Sequence, residues 1–251
     1  MSLEEVAAEL RVSEPDRFGA SLILPADLRP RLWTLYALNN EIARAPLQAN
    51  EPLIAEMRLQ WWADQLAKIG NGGQPAHMLL GPLAGVWGRD AAGLADMIEA
   101  RRRDCYREPF ATAAEVVGYV RETSVLLMRH ALKAAGARAQ GDVIEAQALG
   151  SGLAQWLAAL PDLDQLGLGL ARPDPAIIKD LAGEALAALD VARAERRGVS
   201  DKAAPVLYRG TGLRRALKSA VETGKPAAIH TSEFRRRFGL GRLALTGRWW
   251  D

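Results

Sequence analysis

Apolar residues recur at three- and four-residue intervals along almost all of this 251-residue chain, and no stretch alternates apolar with polar residues as a half-buried strand would. Such a chain can bury its apolar surface only by laying helix against helix, so the expected fold class is all-α. The punctuation agrees. Ser2 and Glu5 read as a capping box ahead of a short helix striped by Leu3, Val6, Ala7 and Leu10, and Thr112 with Glu115 repeats the device. A helix is expected from Asp27 to Ala45, with Pro30 tolerated in its first turn and Pro46 closing it. The next enters through Pro52 and ends at Ile69. Met57 and Trp61 lie on one side of it, Leu59, Trp62 and Leu66 on another, and a helix apolar on two sides is a central one. Further helices are expected over 77–87, 91–106, 113–135, 141–160, 176–197, 202–220 and 233–246, whereas 16–24 reads equally as helix or extended chain. Residues 1–231 are expected to form a helical bundle, and 232–251 a basic amphipathic segment that is mobile or docked separately.

Composition removes several classes. Hydrophobic residues make up 49% and charged residues 25%, too apolar for a disordered chain. The lone cysteine, Cys105, can close no internal disulfide, which suits a reducing compartment. Residues 1–5 carry Glu4 and Glu5 where a secretory signal would be basic and then apolar, and no run approaches the roughly 18 apolar residues of a membrane span. The expected location is therefore the cytoplasm. Charge is uneven: the net +2 divides into +7 over residues 201–251 (11 Lys and Arg against 4 acids) and −5 over the rest. A basic end of this kind either touches something anionic or is simply solvated.

Familiar chemical motifs are scarce. His77, His130 and His230 share no ligand spacing and read as surface or capping histidines. No Gly-rich phosphate loop or serine nucleophile elbow is present. Only Glu5/Glu9, Asp104/Glu108 and Asp180/Glu184 place two acids four apart, and none sits on an apolar helix face, so they read as solvated.

A set of ordered blocks carries a resemblance. Asp16-Arg17-Phe18, Leu24-Pro25-Ala26-Asp27-Leu28-Arg29 and Leu32-Trp33-Thr34-Leu35-Tyr36-Ala37-Leu38 resemble the opening of the squalene/phytoene synthase family. So do Glu51-Pro52-Leu53 with Arg58-Leu59-Gln60-Trp61-Trp62-Ala63-Asp64, and Met97-Ile98-Glu99-Ala100-Arg101 with Asp104-Cys105-Tyr106. Pro109-Phe110-Ala111-Thr112, Tyr119, Thr123 and the tail Leu245-Thr246-Gly247-Arg248-Trp249 extend the likeness from about residue 16 onward. The resemblance implies the isoprenoid-synthase bundle around a central cavity. In active members two DxxxD motifs on facing helices hold Mg²⁺, which neutralises the departing diphosphate so that an allylic cation can form.

The chain departs from that pattern. Counted from Tyr36, the first pair of aspartates becomes Ala43 and Leu47, and the arginine usual beside them becomes Asn40. The second motif is expected within 150–161, where no acid stands, and no Asp in the chain has another four positions later. Alanine and leucine offer a hard cation nothing to coordinate. The same motifs are degenerate in mitochondrial complex I assembly factors of this fold and their alphaproteobacteria-like relatives. That similarity implies a non-catalytic role in respiratory-complex assembly or at a membrane, with a protein partner and no cofactor. A degenerate cavity would still have room for a prenyl chain or other lipid. Tyr36, Asn39, Asn40, Arg58, Trp61 and Arg101 are the candidates for its lining. The alternative is an active prenyltransferase that recruits Mg²⁺ through other acids, such as Asp64 or Asp104.

The basic tail adds a separate expectation. Phe234, Phe238, Leu245 and Trp249 recur near helical spacing, interleaved with Arg235, Arg236, Arg237, Arg242 and Arg248, and Trp250 follows. Contact through Phe234, Arg235, Arg236, Phe238, Arg242, Trp249 and Trp250 suits an anionic bilayer, with peripheral attachment at the inner-membrane face. The same spacing also suits docking of the aromatics on the bundle with the arginines in water. Nucleic acid is not an expected partner, because the aromatics follow the apolar stripe and build no stacking platform.

Overall fold

Thirteen α-helices joined by short 3-10 turns make up the computed structural model, which describes Met1 to Asp251. In chain order they are α1 (Leu3–Ser13), α2 (Pro15–Ser21), α3 (Arg29–Arg44), α4 (Pro52–Gly70), α5 (Leu80–Trp87), α6 (Asp96–Glu99) and α7 (Ala113–Val120). There follow α8 (Leu126–Ala134), α9 (Gly141–Gln165), α10 (Pro175–Ala194), α11 (Ala203–Leu207), α12 (Leu213–Thr223) and α13 (Glu233–Thr246). The one extended pairing is an isolated bridge between Phe110 and Leu170. The fold is all-α.

Local chemistry accounts for most boundaries. Ser2 Oγ accepts from the Glu5 N–H at 3.2 Å while Glu5 accepts from the Ser2 N–H at 2.6 Å, completing the capping box of α1. Thr112 caps α7 in the same manner, accepting from the Glu115 N–H at 3.3 Å. Residues 16–24 are helical as far as Ser21, whose Oγ accepts a 2.8 Å bond from Trp33 Nε1 on α3.

Four expected spans take a different form. The 91–106 span is broken into a 3-10 run (Gly88–Ala95), the single turn α6 and a second 3-10 turn (Arg102–Cys105). Its buried residues Ala91, Leu94 and Met97 are three apart, and that interval matches a three-residue turn better than an α-helix. The 202–220 span divides into α11 and α12 because Gly210 and Gly212 take φ near +91° and +92°, a region that ends a right-handed helix. The 113–135 span contains a π-turn over Arg121–Val125. Helix α9 continues past Pro161 to Gln165, since Leu160 and Leu163 stay packed in the core and offset the one hydrogen bond that proline removes.

Two adjoining cores result. One gathers α1, α3, α4, α5, α8 and α11 around Leu35, Leu38, Leu59, Leu66 and Leu83. The other lies among α7, α9, α10 and α12 around Val116, Leu153, Leu157, Leu181 and Leu217. The tail is docked. Leu243 and Trp249 belong to the first core, and α13 lies against α2, where Leu240 fits over the bare backbone of Gly19. Asp251 Oδ2 accepts from the N–H groups of Gly212 and Arg214 at 3.0 and 3.1 Å, supplying the cap that α12 lacks.

Candidate functional site

The interior of the bundle is nearly filled. At its centre a void of about 10 Å³ is lined by Arg17 from α2, Tyr36 from α3, Ser124 from the π-turn and Met128 and Ala131 from α8. Leu127 of α8, Ala148 and Ser151 of α9, Val206 of α11 and Arg209 just beyond it complete the wall. That is room for about one water-sized sphere. Small residues on α9 draw the walls together. A Cβ on Gly152 would stand 2.6 Å from both Ser124 Oγ and Val120 Cγ1, so only glycine lets the π-turn approach so closely. Ser151 points inward and satisfies itself by donating to the Gln147 carbonyl at 2.6 Å.

The charges around the void are guanidiniums. Arg17 stacks over the Tyr36 ring with its central carbon 5.0 Å from the centroid, and pairs with Glu14 at 2.5 Å. Arg209 donates from Nη2 to the neutral Gln155 Oε1 at 2.6 Å. The Nε atoms of both arginines are buried without a partner. Burial and the neighbouring Arg17 charge hold Arg209 down to about 10. Burial likewise raises the Tyr36 hydroxyl above its ordinary value, against the pull of Arg17 and Arg209.

The residues singled out in the sequence fall in different places. Tyr36 lines the void. Asn39, Ala43 and Leu47 are half-buried on α3 and the turn after it, and Asn40 donates to Ser13 Oγ at 3.5 Å beneath α1. Arg44 pairs with Glu9 at 3.7 Å, so α1 and α2 run along this side of α3 from Arg44 to Tyr36. Arg58 and Trp61 lie elsewhere, on an outer groove of about 690 Å³ with Glu41, Gln48, Ile54, Met57, Trp62 and His77. There the Trp61, Trp62 and His77 rings meet edge to face, with centroids 4.9 to 6.0 Å apart.

Arg101 belongs to a third place. It donates to Tyr119 Oη at 2.6 Å, and Tyr119 in turn donates to Asp104 at 2.8 Å, closing a buried triad with the 3.4 Å Arg101–Asp104 ion pair. Burial works against the Arg101 charge, but the Tyr119 oxygen and Asp104 carboxylate outweigh it and the net direction is upward. For Asp104 burial prevails, and its carboxyl rises above the ordinary 3.8. Neighbouring Cys105 is buried and pushed up to about 11, which leaves it an inert thiol.

On α13 the two arms of the sequence expectation separate. Phe234 and Phe238 are 77% and 64% exposed and stack on each other at 6.5 Å, and Leu245 is 87% exposed on the same stripe. Trp249 is only 2% exposed, buried in the first core, so it is not available to a membrane; Trp250 packs half-buried against it at 5.7 Å. Arg236 turns inward to Asp16 at 3.3 Å, while Arg235 and Arg242 line a polar hollow with Thr211 and His230.

A magnesium–diphosphate pair does not fit these residues. Nowhere do three His, Cys, Asp or Glu side chains gather, and the central void has arginines and no carboxylate in its wall. Asp64 is exposed and accepts from Gln60 at 2.8 Å, and Asp104 is held by Arg101 and Tyr119. Of the residues that build the interior, Arg17 stood in a quoted sequence block without a role. Arg209 followed the apolar run 203–208, a charge directly after buried chain, and that was the signal for it.

Among solved structures the chain is similar to a dehydrosqualene synthase in complex with ligand, with TM-score 0.74 and 13% identity over 96% of this chain and 94% of that one. It is also similar to squalene synthase HpnC from Alicyclobacillus acidocaldarius, with TM-score 0.71 and 18% identity over 89% of this chain and 95% of that one. At these identities the likeness is one of fold. No curated protein matches the chain in sequence. The family model described as squalene/phytoene synthase matches residues 10–172, from α1 to the bridge after α9. By that match, over well more than half its length, the chain belongs to the squalene/phytoene synthase family.

Proposed function

We propose that the chain is a non-catalytic member of its family, an assembly or lipid-binding factor held at a membrane surface. One observation carries the reading: the centre of the bundle, where a prenyl diphosphate and its metal ions would have to sit, is a water-sized void walled by guanidiniums and free of carboxylates. Expelling diphosphate needs its negative charge neutralised as the carbon–oxygen bond breaks, and a prenyl chain needs far more space than the void has. The lipid-binding part is supported by the groove beside α4, whose volume of about 690 Å³ and apolar wall of Ile54, Met57, Trp61 and Trp62 suit a hydrocarbon chain. The membrane part is supported by the exposed Phe234–Phe238–Leu245 stripe amid arginines.

The test is direct. Purified protein is incubated with Mg²⁺ and farnesyl or geranylgeranyl diphosphate, and both released diphosphate and condensed product are measured. The expected outcome is neither, at any enzyme concentration. Turnover would return the chain to the prenyltransferases and end the proposal.

A further inference from the structure

One end of the bundle carries positive charge that the protein itself does not use. Where α12, α13 and the chain after α13 meet, an open hollow of about 290 Å³ has Arg214, Arg215, Arg235 and Arg242 in its wall. Arg214 is engaged, pairing with Asp190 at 2.7 Å. So are two neighbours outside the hollow, Arg236 with Glu233 and Asp16 at 2.6 and 3.3 Å, and Arg237 with Glu233 at 2.9 Å. Glu233 is the only acid of α13, and those two arginines take it. The guanidiniums of Arg215, Arg235 and Arg242 make no ion pair and no hydrogen bond within the protein, and Arg242 Nε is buried without an acceptor. The one acidic residue in the wall is Asp251, whose side chain is held on the N–H groups of Gly212 and Arg214. A main-chain carboxylate there would still leave the balance positive.

Backbone chemistry shapes the hollow. Gly239 brings α13 close to the chain before α12, since a Cβ there would collide with Tyr208 Oη and Thr211 Cγ2. Phe238 shares the wall and also belongs to the apolar stripe, 64% exposed and stacked on Phe234. Free guanidiniums beside exposed rings match an amphiphile that carries phosphate next to hydrocarbon. The guanidinium fork fits phosphate oxygens two at a time, and aromatic rings favour the boundary between water and acyl chains. We propose that the hollow seats the phosphodiester of an anionic phospholipid, held by Arg215, Arg235 and Arg242, with the acyl chains leaving past Phe238. A volume of about 290 Å³ admits the phosphate and its glycerol. A soluble phosphate ester would have no use for the stripe. This contact presupposes the membrane attachment proposed above and names the lipid group that makes it.

Binding of the whole protein is measured to phosphatidylcholine vesicles doped with phosphatidylglycerol or, to the same surface charge, with oleate. Tighter binding to the phosphatidylglycerol vesicles is expected. Arg215→Gln with Arg235→Gln changes two exposed side chains that have no partner in the protein. This variant should keep the native Tm and bind those vesicles about a hundredfold more weakly. Lys218→Gln with Lys225→Gln removes the same charge outside the hollow and should weaken binding less than about tenfold. Inorganic phosphate at matched ionic strength should not displace the native protein. If the native protein ignores both kinds of vesicle, the membrane reading fails and this site with it. If it binds, but the arginine variant loses no more than the lysine variant, attachment stands and the headgroup site falls. Equal affinity for the oleate vesicles also overturns the site, pointing to surface charge alone, and displacement by phosphate overturns it in favour of a soluble ligand.

Discussion

The Arg101–Tyr119–Asp104 triad gives the residue-scale prediction. Asp104 accepts from both partners, so Asp104→Ala leaves a buried guanidinium and a buried hydroxyl unpaired and should cost about 3 kcal/mol in urea unfolding. Asp104→Asn keeps an acceptor oxygen. Burial already weighs against the Asp104 charge, so this change should cost less than Asp104→Ala, about 1–2 kcal/mol, because Arg101 still loses its counter-ion. The sign of the pH dependence follows from the same cause. A carboxyl raised above 3.8 holds its proton more tightly folded than unfolded, so the stability contributed by Asp104 falls as pH rises from that value into the raised range. Asp104→Asn should remove this slope, and a slope unchanged in the variant would show that other groups produce it. From the sequence Arg101 was expected to line a cavity and Asp104 to be solvated or a metal ligand, and Tyr119 stood only in a family block; the structure instead buries Asp104 against the other two. Their mutual contact joins a 3-10 turn to α7 across 15 to 18 residues, a distance that no local pattern encodes.

At the scale of elements, α13 carries two faces with separate work. Its inner face, Leu240 and Leu243, is bound to α2 and the first core, and its outer stripe is left in water. A stripe of two stacked phenylalanines and a leucine beside Arg235 and Arg237 suits the interface of an anionic bilayer, where each basic residue contributes about 1 kcal/mol. Vesicles rich in phosphatidylglycerol should retain the native protein at low salt and release it as salt rises. Changing Phe234, Phe238 and Leu245 together to Ala should abolish retention and leave Tm within a degree or two, because these side chains touch little of the core. Equal retention of that variant removes α13 as the membrane contact. The sequence left two readings of the segment open; in the structure one side of the helix docks on the bundle and the other is exposed. The spacing could show that an apolar stripe exists, and not which part of it another helix would cover.

Across the whole molecule the tail is structural as well. Trp249 sits among the largest fully buried side chains, and Asp251 caps α12, so residues 232–251 close the bundle from which composition had set them apart. Trp249→Ala should therefore lower global stability by about 3–5 kcal/mol, the usual cost of emptying a core tryptophan. A loss below about 1 kcal/mol would show the tail to be an appendage. Between the two cores the bundle leaves a void of only about 10 Å³, in a fold the chain shares with the solved synthases it resembles.

The sequence by itself determined the all-α class, the capped starts of α1 and α7 and the absence of paired aspartates. These are matters of period, capping chemistry and side-chain identity, each read within a few residues of chain. Helix α4, expected to be central because it is apolar on two sides, buries only the Leu59–Trp62–Leu66 side and leaves Met57 and Trp61 exposed. Only the tertiary structure decided that the candidate lining residues part company, Tyr36 to the void, Arg58 and Trp61 to an outer groove and Arg101 to a buried triad. It alone placed Arg17 beside Arg209 on the wall of one void, since nearness between residues so distant in sequence comes from which helix faces pack together. A helical stripe says that a face is buried, but its partner is chosen by the shape and charge of the whole bundle.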